Sequence, residues 1–193
     1  VKRGGPKLST EEIILGYIHR AELIKNLLAR VAPEKEITGL EIGVWLGDLL
    51  LYLLKQMPEI KRLYGIDSWR PSRLYGKYRS MSSWDSIYED VKCSFLGKQV
   101  TIIRGWSREV IGQVPNGLHF VEIDGDHSYE QVRVDLEICE PKVVPGGLFC
   151  GHDYYGVYSP GVKRAVDEFA VMKGKEVHSK GEDVGTWWWY KEK

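Results

Sequence analysis

The groups in this chain best suited to chemistry lie in the stretch Phe120-Val-Glu-Ile-Asp124-Gly-Asp126-His127-Ser-Tyr-Glu130. A short apolar run that ends in two carboxylates and an imidazole, followed at once by a helical pattern, predicts a buried strand delivering three ionisable groups to one edge of a sheet. In an open α/β sheet that edge is the ligand crevice, so the groups are better placed for chemistry than for stability. A solvated turn with helix-capping acids is the alternative. His152-Asp153 stands at the end of a later apolar run, Leu148 to Gly151.

A second constellation is Glu41-Ile-Gly43-Val44-Trp45-Leu-Gly47. Glycines between a strand and a helix let the backbone approach a ligand and aim helix N-terminal amides at it. The spacing is not the G-x-G-x-x-G of a dinucleotide fingerprint, because an acid lies two residues before the first glycine and the second glycine lies four after it. Asp67, followed by Ser68, ends the next predicted strand. It is close to the offset of about 20 residues at which an acid reaches a ribose hydroxyl pair. A tight turn and a capping aspartate would explain each piece alone.

Elements must hold these groups in place. Ser9 and Glu12 form a capping-box pattern, and Ile13, Ile14, Tyr17, Ile18, Ala21, Ile24, Leu27, Leu28 and Val31 recur at helical spacing before Pro33. The reading is an amphipathic helix over 8–33 that packs on the sheet or covers a ligand, with a homodimer contact as the alternative. Strands are expected at 38–42, 61–66, 100–104, 118–123 and 148–151, and helices after Gly47 and over 84–95, 107–113, the 130s and 162–171. A closing hairpin is expected from 176–178 and 186–190, where the three successive tryptophans Trp187 to Trp189 pack on both faces with one ring partly exposed. Alternating strands and helices with a terminal hairpin predict an α/β three-layer sandwich in a single domain, 1–193. Segment 69–84 is long, basic and aromatic and lacks periodicity; it reads as a lid over the crevice, with Tyr154, Tyr155 and Tyr158 as the opposite wall.

Composition narrows the partners. The 193 residues carry 27 Lys and Arg against 27 Asp and Glu, so nothing global attracts the chain to nucleic acid or to an anionic membrane. Three cysteines without metal-type spacing predict reduced, packed thiols in a cytoplasmic setting. No apolar run approaches the roughly 18–20 residues of a membrane span, and the N-terminus lacks a signal-peptide core, so a soluble intracellular protein is expected.

Taken together, Glu41, Gly43, Gly47 and Asp67 resemble the class I S-adenosylmethionine-dependent methyltransferases. In that family the acid-x-Gly-x-x-x-Gly loop cradles the methionine part and the acid ending the second strand binds the ribose. Gly105-Trp106-Ser107 looks like the adenine-side loop, which implies base contacts from Ser107 together with Trp106 or Arg108. Val44, Trp45, Ser68 and Asp124 are implied neighbours of the cofactor. The resemblance also implies a Rossmann-like, mostly parallel seven-stranded sheet with the last strand antiparallel. Within the class, Ile123 to Glu130 and Gly146-Gly-Leu-Phe-Cys-Gly-His-Asp-Tyr154 are most similar to the branch with macrocin-type O-methyltransferases and cephalosporin-hydroxylase-like proteins.

That resemblance implies methyl transfer to a hydroxyl oxygen of a small molecule. It implies a divalent metal such as Mg²⁺ held by Asp124 and Asp153, which would lower the pKa of a bound hydroxyl. Tyr154 stands where metal-dependent relatives place an Asn or Asp ligand. His127 occupies the offset at which they carry a lysine base, and an imidazole can take a hydroxyl proton at neutral pH. An inert histidine in a first helical turn is the alternative, and His152 is a second catalytic candidate that could instead orient Asp153. Asp126 could approach the cofactor's cationic end or cap the following helix. A cofactor-binding protein without transferase activity and an NAD-dependent oxidoreductase are the rival classes.

Overall fold

The computed structural model describes residues 10–31, 36–70, 84–156, 159–181 and 184–192. Helix α1 spans Thr10–Leu28, inside the expected 8–33, and the proposed Ser9 cap lies outside the described residues. Then follow β1 (Ile37–Ile42), α2 (Asp48–Gln56), β2 (Ile60–Asp67), α3 (Trp84–Ser94), β3 (Val100–Arg104) and α4 (Ser107–Val110). The chain continues through β4 (Leu118–Ile123), α5 (Tyr129–Cys139), β5 (Val143–Gly151), α6 (Pro160–Met172), β6 (His178–Lys180) and β7 (Thr186–Tyr190). Residues 71–83, the body of the expected lid, and Tyr158 lie outside the described residues.

The strands form a seven-stranded sheet in the order β3-β2-β1-β4-β5-β7-β6. β1 to β5 pair in parallel, and β7 runs antiparallel to β5 and to β6. The chain reverses direction of growth between β1 and β4, so their carboxyl ends flank the switch-point crevice where ligands of open α/β sheets bind. β1 and β4 are buried along almost their whole length because helices cover both faces.

Two boundaries differ from the sequence expectation. β5 starts at Val143 rather than Leu148, and its pairing with β4 is irregular between Leu118 and Phe120. The Gly146-Gly147 pair therefore sits inside the strand at a bulge instead of introducing it; Gly146 has φ +78°. β6 begins at His178, later than the expected 176–178, because its register against Trp188, Trp187 and Thr186 sets its extent.

The sheet separates two cores. One packs α1 and α2 residues such as Ile24, Leu28, Leu49 and Leu53 with Phe120 and Leu148. The other packs Val132, Leu136, Val166 and Phe169 with Phe149, Trp187 and Trp189. The tryptophan run obeys strand alternation: Trp187 and Trp189 stack at 5.0 Å on one face, and half-buried Trp188 joins the other core. Cys139 and Cys150 are buried packing residues, whereas Cys93 is exposed on α3.

Candidate active site

The first wall of the crevice is the β1–α2 loop. The parallel ladder runs one residue past each strand, with Gly43 N–H donating to the Ile66 carbonyl and Asp124 N–H to the Ile42 carbonyl, both at 2.8 Å. This brings the loop against the end of β4. A Cβ on Gly43 would stand 2.1 Å from the Asp124 carbonyl oxygen, and Gly43 has φ +97°. Gly47, at φ +83°, precedes α2 and leaves the helix amides open to the crevice without a side-chain cap.

Asp67 ties this loop to the next strand. Its carboxylate accepts from Trp45 N–H at 2.9 Å and Trp69 N–H at 2.8 Å, and the Trp69 indole donates to the Trp45 carbonyl at 3.0 Å. Trp45 and Trp69 both hold positive φ, 52° and 42°, a costly conformation for bulky side chains that such bonds must enforce. Arg104 at the end of β3 donates to the Trp69 carbonyl at 3.2 Å and pairs with Asp85 at 2.7 Å, fixing the turn through Ser68. Burial raises the Asp67 pKa, and the amides of Trp69 and Trp45 partly offset it.

After β3, Trp106 precedes the first turn of α4 and Ser107 is buried. The Ser107 hydroxyl donates to Asp135, and the Gln131 amide donates to Ser107 at 3.0 Å and to Asp135 at 2.9 Å. The Ser107 side chain thus links α4 to α5, so any contact it makes with a base goes through the remaining hydroxyl lone pair or the backbone.

The second wall carries the ionisable groups. His127 Nε2 lies 3.4 Å from Asp124 Oδ1 and 3.2 Å from Asp153 Oδ2, and its Nδ1 is 3.2 Å from the Ser159 hydroxyl. His152 Nδ1 faces the same two carboxylates at 4.0 and 3.7 Å. Asp153 adopts φ +59°, which turns its carboxylate into the cluster. Asp126 accepts from Ser128 N–H at 2.8 Å and Ser128 caps α5, so Asp126 acts as part of the helix cap. Arg20 of α1, on the face of the sheet that packs α1 and Phe120, donates to Asp124 Oδ2 at 2.6 Å and to Glu122.

These charges set one another's ionisation. Burial pulls the His127 pKa down, but the hydrogen bond and charge of Asp124 and the charge of Asp153 outweigh it, and the net displacement is upward. Burial raises Asp124, yet Arg20 together with His127 and His152 holds it below the ordinary carboxylate range. Glu122 is pushed up to about 7 by burial, with Arg20 opposing. Glu41, its register partner on β1, is raised well above its usual value by burial and then by Glu122. Arg20 and the two imidazoles thus favour the carboxylate form of Asp124, while burial favours the protonated forms of Glu41 and Glu122.

Asp124, His152 and Asp153 each offer one ligand atom, all within 4.8 Å of one another, so the donor set fits a divalent cation. Two carboxylates with an imidazole suit Mn²⁺ or another transition ion at least as well as Mg²⁺. Tyr154 does not join them. Its hydroxyl donates to Asp167 of α6 at 2.5 Å, Lys163 lies over its ring, and its buried side chain belongs to the second core. It is thus a packing residue turned toward α6 and not part of a substrate wall.

Sequence reading missed Arg20, Glu122 and Ser159. Arg20 lies four residues before Ile24, on the apolar stripe of α1, where a charge signals a buried partner. Glu122 is an acid inside an apolar strand, on the same face as Asp124. Ser159 precedes Pro160 like an N-cap, but it makes no capping bond and turns its hydroxyl to His127.

Residues 40–154 match a family profile described as a methyltransferase domain. A protein of Acanthamoeba polyphaga mimivirus is 30% identical over 171 residues, covering 84% of this chain and 73% of that protein. Among solved structures, the O-methyltransferase NovP aligns at TM-score 0.70 and 22% identity, over 91% of this chain and 81% of its own. CalS11, a TDP-rhamnose 3'-O-methyltransferase of calicheamicin biosynthesis, aligns at TM-score 0.62 and 15% identity, over 96% and 88%. These likenesses carry the class I methyltransferase fold, and the profile covers the glycine loop, Asp67 and both acid-bearing strand ends: the chain belongs to the methyltransferase family that this profile describes.

Proposed function

We propose that the protein transfers the methyl group of S-adenosylmethionine to a hydroxyl oxygen of a small molecule, with His127 as the general base. The observation that carries this reading is the setting of His127, held at Nδ1 by Ser159 and facing Asp124 and Asp153 at Nε2, beside the glycine loop. NovP, an O-methyltransferase, and CalS11, a TDP-rhamnose 3'-O-methyltransferase, support a hydroxyl oxygen as the acceptor.

In this reading Asp67 takes the ribose hydroxyls, and Gly43 to Gly47 bring backbone and α2 amides to the amino-acid part. Glu41, with one carboxylate oxygen lacking a partner among the described residues, lies on the methionine side. Ser107 and Trp106 flank the adenine. Transfer is an in-line displacement at the methyl carbon, and its rate comes from alignment and from removing the acceptor proton. Neutral His127 carries its hydrogen at Nε2, towards Asp124 and Asp153, so Nδ1 beside the Ser159 hydroxyl takes the acceptor proton, and the two carboxylates stabilise the imidazolium that forms. A divalent cation, where bound, would be held by Asp124, His152 and Asp153 and would lower the pKa of the acceptor hydroxyl.

The test is calorimetry with S-adenosylmethionine and NAD, followed by release of S-adenosylhomocysteine across a panel of sugar and phenol acceptors, with Mn²⁺, Mg²⁺ or EDTA. His127→Ala is expected to bind S-adenosylmethionine as the parent does and to lose about 10²–10⁴-fold in turnover. Unchanged turnover in that variant would remove the base from His127. Cofactor binding without product from any acceptor would favour a binding protein, and binding of NAD alone an oxidoreductase.

A further inference from the structure

Helix α1 lies outside the alternating strand–helix core, yet it supplies a buried cation to the centre of the site. We propose that Arg20 is a positioning residue for methyl transfer and that α1 is part of the active-site machinery. The proposal rests on the reading of the site given above.

The geometry divides the Asp124 carboxylate between two tasks. Oδ2 accepts from Arg20 Nη1 at 2.6 Å, and Oδ1 is left facing His127 at 3.4 Å and His152 at 4.0 Å. The second nitrogen of the guanidinium is held by Glu122, which is fully buried on β4. A planar fork engaged on two acids two residues apart fixes the plane of each, which an ammonium cannot do. Asp124 is thereby restricted to one free oxygen, so it can serve His127 or a cation only in monodentate fashion.

The setting of Arg20 is rigid. Its neighbours Ala21, Ile24 and Leu28 are buried against the sheet, and Arg20 itself is only 6% exposed. Its charge also faces Glu41, Glu122 and Asp124 together, three acids that would otherwise repel at the carboxyl ends of β1 and β4. Without Arg20 the Asp124 carboxylate can rotate about its terminal torsion, which is broad for sp² groups, and His127 loses a fixed acceptor.

Arg20→Met and Arg20→Lys are the informative variants, with Tyr190→Phe as a comparison. Tyr190 pins α1 elsewhere by donating to the Leu27 carbonyl at 3.1 Å, so Tyr190→Phe weakens the docking of α1 and leaves Arg20 in place. Arg20→Met is expected to lower kcat about 10–100-fold with the S-adenosylmethionine Kd within about 3-fold. Arg20→Lys is expected to fold and to recover only part of that loss, which keeps the test informative if the methionine variant does not fold. Tyr190→Phe is expected to lower Tm with kcat unchanged. A second readout needs no turnover: a crystal structure of Arg20→Lys is expected to show the Asp124 carboxylate rotated away from His127. Arg20 variants that lose Tm alone, or an Asp124 that keeps its orientation, would overturn the proposal. If the parent protein yields no S-adenosylhomocysteine while Asp124 still rotates, the function proposed above fails and the positioning role stands.

Discussion

At the scale of single residues, the site works by giving each polar atom one partner and leaving one atom for a ligand. Asp67 shows this. The amides of Trp45 and Trp69 orient the carboxylate and partly offset the cost of burying it, and in the proposed function the lone pairs left over take the ribose hydroxyls. Asp67→Asn keeps the shape and removes the charge, so it is expected to weaken S-adenosylmethionine binding about 10-fold by calorimetry. His127 divides its two nitrogens between the Ser159 hydroxyl and the carboxylates of Asp124 and Asp153. Because its pKa is raised, the basic form prevails only above the usual histidine range. Turnover should therefore climb with pH through that raised value, a limb absent from His127→Ala. Both residues were legible from type and spacing. Arg20 and Ser159 were not, because their partners lie about a hundred and about thirty residues away in sequence.

At the scale of elements, the closeness of two strand ends decides whether the site exists. β1 and β4 are adjacent at the switch point, and the glycine loop crosses the end of β4 with no room for a side chain. Gly43→Ala would place a methyl on the Asp124 backbone in a left-handed conformation. It is expected to cost about 2–5 kcal/mol, read as a lower denaturant midpoint at constant m. Gly97 also has positive φ, at +73°, but nothing lies within 4 Å of its Cβ position, so Gly97→Ala should cost only about 1–2 kcal/mol. The loop was visible as a glycine pattern, but the contact that makes Gly43 indispensable belongs to a strand some eighty residues later. Similarly, the β5 bulge could not be read from Gly146-Gly147, because it is defined by pairing with β4.

At the scale of the whole molecule, polar groups have been carried into the interior to tie the layers together, and stability then depends on pH. Asp135 of α5 is buried with Ser107 and Gln131, and its pKa is raised from 3.8 to about 6, chiefly by burial. The folded state therefore holds a proton that the unfolded chain releases at lower pH. The stabilisation is complete below about 3.8 and is lost as pH rises through about 6. Asp135→Asn preserves both accepted bonds at Oδ1 and replaces an oxygen that has no partner among the described residues. It is expected to raise Tm at pH 8, by an amount corresponding to about 1–3 kcal/mol, and to change it little at pH 4. Parallel thermal melts of the two proteins across this range check the sign. The sequence by itself determined the α/β class, the strand ends that bear Asp67, Asp124 and Asp153, and the glycine loop, because strand and helix periodicity and turn chemistry are local properties of the chain. Only the tertiary structure decided that Tyr154 leaves the cluster for α6 and that α1 brings Arg20 to Asp124. Those outcomes depend on which buried charges find partners, and a buried charge is satisfied by neighbours in space, wherever the chain supplies them.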